Sequence, residues 1–431
     1  MDQLPIVGGI ISSIQGEVRP PSPPIVNHGK RMVGYFTNWG ANHFPPSMVP
    51  VNELTHLNYA FAKINKQTGE VALSDPHTDT ERHFRPAGAA QAAQGEVAPV
   101  DPTEGGKNLY GCLGAFYLMK KHNRNLKVML SIGGSKYSSA FENIEYIHWR
   151  NTFVQSAVKI VEDCGLDGLV DFESPKNTQQ GGYYARLIKE LRSDLNALAQ
   201  KNQQPRNQYL LSVAAPCGDD NIKHLDIKDM NQNLDFWNLM AYDFAGSWSK
   251  VADHQANLKG TNAQDLSVEK AVKAYEVHGV APQKLVIGIP LYGRTSENTE
   301  GIGKPFHGEC VPLQWSSEGS STRVYRDLPL AGAKVHNDTH IGASFSYDNH
   351  KRELISFDTP EIAKEKAEYI KKQNLGGAMF WELSGDKSLQ SSDNLVKVVH
   401  NNLGQLEKRE NELRYPHSKY DNLKGGMGGG H

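Results

Sequence analysis

Cysteine is scarce in this chain of 431 residues: Cys112, Cys164, Cys217 and Cys310 are widely spaced and form no C-x-x-C pair. That argues against a disulfide-framework domain and a zinc site; the four read as free thiols, with a single bridge as the alternative. The 17 histidines show no H-E-x-x-H and no paired ligand spacing, so no metal and no cofactor is expected. Basic excess is absent as well. A formal net charge of −2 argues against a nucleic-acid or membrane-surface partner. Long apolar runs are missing, and none approaches the roughly 18 residues of a membrane span. The opening MDQLPIVGGIISSIQGEVRPP has no basic n-region and carries Asp2, which makes it a poor secretory signal. The compartment is left open between intracellular, non-classically secreted and extracellular. Nothing in the sequence bears on oligomeric state, and a monomer is the working expectation.

What is present is an alternation of short apolar runs with helix-like segments from residue 32 to about residue 400. Eight runs read as strands: 32–37, 56–61, 126–132, 166–173, 209–214, 234–241, 285–291 and 377–381. Helical segments follow several of them, at 153–162, 183–198 and 268–277. Strand–helix alternation with near-continuous apolar strands predicts a parallel sheet covered by helices, and eight units predict a closed TIM (β/α)8 barrel of the α/β class. Two stretches break the rhythm. Residues 65–108 are polar and aperiodic and read as a long rim loop. Residues 295–357, between the seventh and eighth strands, contain YRDLPL, ASFSYD and ELISFD and read as a small α+β insertion. The expected organisation is a flexible lead-in over 1–30, the barrel over 31–294 and 358–405, the insertion over 295–357, and a tail over 406–431 with a disordered GGMGGGH end.

In such a barrel the site lies at the C-terminal ends of the strands. Those ends collect Tyr35, Trp39, Phe61, Met240, Tyr242, Asp243, Trp248, Arg294 and Trp381 around a few carboxylates. Aromatic rings stack on the apolar faces of sugars, and carboxylates bind hydroxyls or move protons, so the pattern suggests a carbohydrate cleft. The organising stretch is DGLVDFESP, residues 167–175. Asp171 and Glu173 are two apart, a spacing that on a strand points both to one face.

The motifs GYFTNW, LKVMLSIGG, SVAAP, FWNLMAYDFAGSW, VIGIPLYGR, EGIGKP and GGAMFWELSGDK, in that order over nearly the whole ordered chain, resemble glycoside hydrolase family 18, the chitinases, closest to the fungal, bacterial-type members. The resemblance implies a TIM barrel, chitin or chito-oligosaccharides as partner, and hydrolysis in which the substrate's own N-acetyl group attacks the anomeric carbon. It implies Glu173 as general acid, Asp171 as its helper and Tyr242 at the N-acetyl oxygen as the catalytic set. Asp243 would contact sugar and Trp381 would floor the reacting subsite. Tyr35 and Arg294 match further site positions, and Trp39, Phe61, Met240 and Trp248 complete the binding set.

The family strand reads DGxDxDxE, one residue longer than the run from Asp167 to Glu173 here. Anchored on Glu173, the alignment puts Leu169 in the inward slot of the missing acid, with an irregularity near Gly168 or an altered upstream register. Anchored on Asp167-Gly168, it puts Val170, Phe172 and Ser174 at the three acidic positions and leaves no general acid. Phe172 replaces the usual Trp, Ser174 the usual Tyr, and Ser135 the Trp that usually follows SIGG. The resulting expectation is a chitin- or chito-oligosaccharide-binding chitinase-like protein with weak or lost hydrolysis. The alternative is an active retaining endochitinase.

Overall fold

Eight parallel strands close on themselves: β1 (Arg31–Thr37), β2 (His56–Ile64), β3 (Lys127–Ile132), β4 (Gly168–Asp171), β5 (Leu210–Ala215), β6 (Phe236–Leu239), β7 (Leu285–Pro290) and β8 (Gly377–Trp381). Each pairs with its neighbours in sequence order, and β1 pairs with both β2 and β8. The computed structural model describes residues 29–84, 107–171, 175–261, 265–308 and 322–427. Strand alternation divides the apolar side chains into two layers. Val33, Tyr35, Ala60, Met129, Val170, Leu210, Phe236, Val286 and Met379 fill the barrel interior. A larger layer, with Leu57, Leu130, Leu169, Leu211, Trp237 and Ile287, packs outward against the helices.

The helices form where sequence supplies both an apolar stripe and a cap. Thr178–Lys201 starts at Asn177, whose side chain accepts from the Gln180 amide, and Val268–Val277 starts at Ser267, which accepts from the Lys270 amide. Ile147–Cys164 stops at Gly165, which takes the left-handed conformation at φ 70° and donates to the Val161 carbonyl. Between β7 and β8 the chain builds a second, antiparallel sheet of five strands, in the order Thr322–Val324, Tyr292–Ser296, Glu353–Ser356, Ala343–Asp348 and Lys334–Asp338.

Two segments differ from expectation. Within the predicted rim loop, Val71–Leu73 pairs antiparallel with the end of β2, while residues 85–106 lie outside the described residues. The expected tail is a buried strap over 405–427. Glu407, Asn411, Glu412, Tyr415, Ser418, Tyr420 and Leu423 are all buried. The Asn411 side-chain amide donates to the carbonyls of Lys120, Asn123 and Leu126. The strap is polar in sequence because carbonyl oxygens and charged groups, more than an apolar stripe, are what it fastens. The lead-in over 1–28 and residues 428–431 lie outside the described residues. Cys112, Cys164 and Cys217 are buried free thiols, and Cys310 lies outside the described residues.

Candidate active site

The mouth at the C-terminal strand ends carries a continuous run of aromatic rings. Tyr35 at the end of β1 meets Trp381 of β8 edge-on, with centroids 5.1 Å apart. Trp381 stacks on Phe61 at 5.6 Å, and Phe61 leans on Trp39 at 5.9 Å. Trp39 is 44% exposed, so one end of the run opens to solvent. Across the barrel, Tyr242 sits over the interior layer, its hydroxyl 4.0 Å from the Met379 sulfur. Gly288 makes room for it, since a Cβ there would lie 2.7 Å from the Tyr242 ring.

Beside Tyr242, Asp243 is held at φ 59°, a left-handed position that aspartate tolerates. Its carboxylate accepts from the Tyr292 hydroxyl at 2.5 Å and from Arg294 Nε and Nη2, each at 2.8 Å. The Arg294 guanidinium lies 5.0 Å above the Trp248 ring, and Trp248 is 59% exposed. The structure thus joins Tyr242, Asp243, Arg294 and Trp248 into one wall. Met240 is half-buried at the end of β6, and its backbone amide donates to the Ala215 carbonyl. Sequence reading missed Tyr292. The available signal was the Tyr292-x-Arg294 spacing, which places both side chains on one face of a strand. Burial, reinforced by the Asp243 charge, holds the Tyr292 hydroxyl well above the usual phenol range. Burial likewise pushes Tyr35 up to about 12.

The floor of the cleft is set by β4. Its pairing is unbroken: Gly168, Leu169, Val170 and Asp171 register with Met129, Leu130, Ser131 and Ile132 on one side and with Leu210, Leu211, Ser212 and Val213 on the other. No irregularity occurs at Gly168. Two features fix this register. A Cβ at Gly168 would lie 2.1 Å from the Leu210 carbonyl oxygen, so glycine is required where β4 approaches β5. Asp167 is buried outward, 2.8 Å from Lys120 Nζ, and accepts from the amides of Val128 and Glu412.

Strand alternation groups Asp171 with Leu169, Ile132 and Val213, whose apolar side chains pack toward the helices. Leu169 faces outward, so it does not occupy the inward slot. Val170 does. It is flanked in register by Ser131 and Ser212, and the Tyr35 hydroxyl lies beside Asn58 and Ser131 without full hydrogen-bond geometry to either. Among the described residues, the Tyr35 hydroxyl, both Asn58 side-chain polar atoms, the Ser131 hydroxyl and the Asn238 side-chain oxygen are buried without a hydrogen-bond partner. A valine therefore stands among polar groups suited to a carboxylate. Glu173, with Phe172 and Ser174, lies outside the described residues. No group of three or more metal-ligating side chains occurs among the described residues.

The sequence pattern of glycosyl hydrolases family 18 matches residues 31–386. The chain is 40% identical over 401 residues to Chitinase 1 of Aphanocladium album, covering 91% of this chain and 90% of that protein. It is 39% identical over 432 residues to Endochitinase 1 of Metarhizium robertsii, covering 96% and 97%. Among solved structures it resembles YKL-39, determined in the presence of chitooligosaccharides, with a TM-score of 0.72, 25% identity, and coverage of 87% of this chain and 100% of that one. The barrel, its aromatic mouth and these matches together make the chain a member of glycoside hydrolase family 18.

Proposed function

We propose that this protein binds chitin or chito-oligosaccharides in the aromatic cleft and hydrolyses them weakly or not at all. The observation that carries the reading is the register of β4, with Val170 on the floor and Asp171 in step with the helix-facing Leu169. General-acid catalysis contributes about 10²–10⁴-fold, and it depends on a carboxyl group placed and charged by its neighbours. Binding needs none of that. Trp39, Phe61, Trp381 and Trp248 offer ring faces, and Asp243, braced by Tyr292 and Arg294, offers a fixed acceptor for a sugar hydroxyl. YKL-39 was determined in the presence of chitooligosaccharides, which supports the choice of ligand. Tyr35, Met240 and Tyr242 complete the proposed binding surface.

A second reading, an active retaining endochitinase using Glu173 with Asp171 and Tyr242, is favoured by the names of the fungal relatives and by the surviving D-F-E triplet in the sequence. Calorimetric binding of chitotetraose, paired with product analysis on the same ligand, separates the two. Binding without products supports the first reading, and turnover matching the relatives supports the second.

A further inference from the structure

At the opposite mouth of the barrel lies a cavity of about 470 Å3 that plays no part in the sugar cleft. Six cationic side chains line it, Lys30, Arg31, Arg192, Arg206, Lys284 and Arg409, against one lining carboxylate, Asp235. Asp235 is engaged by Arg192 at 2.5 Å. Glu407 lies 3.1 Å from Arg31 but is shared with Lys127 at 3.2 Å, so positive charge stays in excess.

Neutral carbonyl oxygens hold most of these cations in place. Lys284 Nζ donates to the carbonyls of Asn231 and Leu234, Lys30 Nζ to that of Leu375, and Arg409 to those of Asn207 and Gln208. Such tethers position the charges without neutralising them. Neighbouring groups register the resulting potential. Burial and then the nearby Lys127, Arg31 and Arg409 hold His56 well below the usual histidine range. Burial lowers Lys284; Asp235 opposes the shift, and Arg192 and Arg31 add to it. A concave, partly desolvated surface of one sign concentrates counter-ions, and arginine forks match phosphate oxygens. The volume falls within the roughly 300–1,000 Å3 of small-ligand sites.

The geometry points to a binding site for a small, soluble, multivalent phosphate at the N-terminal mouth of the barrel, held by Arg206, Arg409, Lys30 and Lys284. The test uses the full chain, titrated by calorimetry with sodium pyrophosphate at an ionic strength held constant with sodium chloride. One saturable site is expected, with affinity about tenfold weaker in Arg206→Gln and in Arg409→Gln. Chitotetraose binding should be unchanged in both. Arg206 is exposed, so R206Q keeps the test valid if R409Q does not fold. Absence of saturable binding, or equal affinity in the wild type and R206Q, overturns the assignment. Capture on phosphatidate vesicles without pyrophosphate binding also overturns it, since the ligand would then be a membrane headgroup.

Discussion

Exchanging Val170 or Leu169 for aspartate gives opposite outcomes if β4 has the register described. Both side chains are fully buried and adjacent in sequence, but they face different layers. In Val170→Asp the new carboxylate is close in size to valine and enters a ring that holds the Tyr35, Ser131 and Ser212 hydroxyls and the Asn58 amide. Losing the valine costs about 1.5–3 kcal/mol of apolar burial. Desolvating a carboxylate costs several kcal/mol more. Two or three hydrogen bonds to the charged group return about 1.5–3 kcal/mol each. The net loss expected is about 2 kcal/mol. In Leu169→Asp the carboxylate replaces an apolar side chain packed among Leu130, Leu211 and the helices. The loss there should exceed about 4 kcal/mol, a magnitude associated with burying an unpaired charge. Urea denaturation of the two variants beside the wild type reads the difference. If Leu169→Asp is the tolerated variant, Leu169 lies inward, and the grouping of Asp171 with helix-facing side chains fails with it.

Three further outcomes follow from the geometry. Trp39→Ala and Trp248→Ala should each weaken chitotetraose binding roughly fivefold, about 1 kcal/mol, with little change in Tm because both rings are largely exposed. Asn411→Ala should lower stability by about 2–3 kcal/mol in denaturant titration, because two buried carbonyls and one part-buried carbonyl lose their shared donor. Asp386 supplies a pH signature. Burial pushes its carboxyl up to about 6, against the backbone amides of Val396, Leu395 and Lys387, which pull the other way. Its folded-state pKa is therefore raised, so its contribution is fully present below the ordinary carboxylate value and is lost as pH rises through 6. The span is roughly 3 kcal/mol. Asp386→Asn should flatten the wild-type loss of stability between pH 4 and pH 7, measured by urea denaturation at each pH. An unchanged slope in the variant would remove Asp386 as its source.

The barrel was legible because its strands are short, near-continuous apolar runs that alternate with helical segments. Val268–Val277 was legible to the residue, since Ser267 marks its start. The register of β4 was not. Leu169 and Val170 are equally apolar, so the hydrophobic pattern cannot say which faces in, and a one-residue slip exchanges the faces. What decides it is tertiary: Lys120 waiting outside for Asp167, and the Leu210 backbone pressing on Gly168. The strap over 405–427 escaped for a related reason. Its anchors, Asn411 and Glu412, look like solvated surface until their partners are in view. The contacts that join Asp243, Arg294 and Trp248 beside Tyr242 were in part foreshadowed, since all four stand at strand ends or just after them. Tyr292 was missed because a tyrosine opening a strand reads as packing, and only its hydroxyl on Asp243 shows otherwise.

The central claim, a sugar cleft without a competent acid, is tested most directly by the initial rate of chitotetraose hydrolysis. The rate is taken on one preparation with its binding confirmed by calorimetry, beside Chitinase 1 of Aphanocladium album under the same conditions. The account predicts saturable binding and a rate lower by about 100-fold or more, the contribution of a placed general acid. Binding accompanied by a rate within a few-fold of the relative would contradict it.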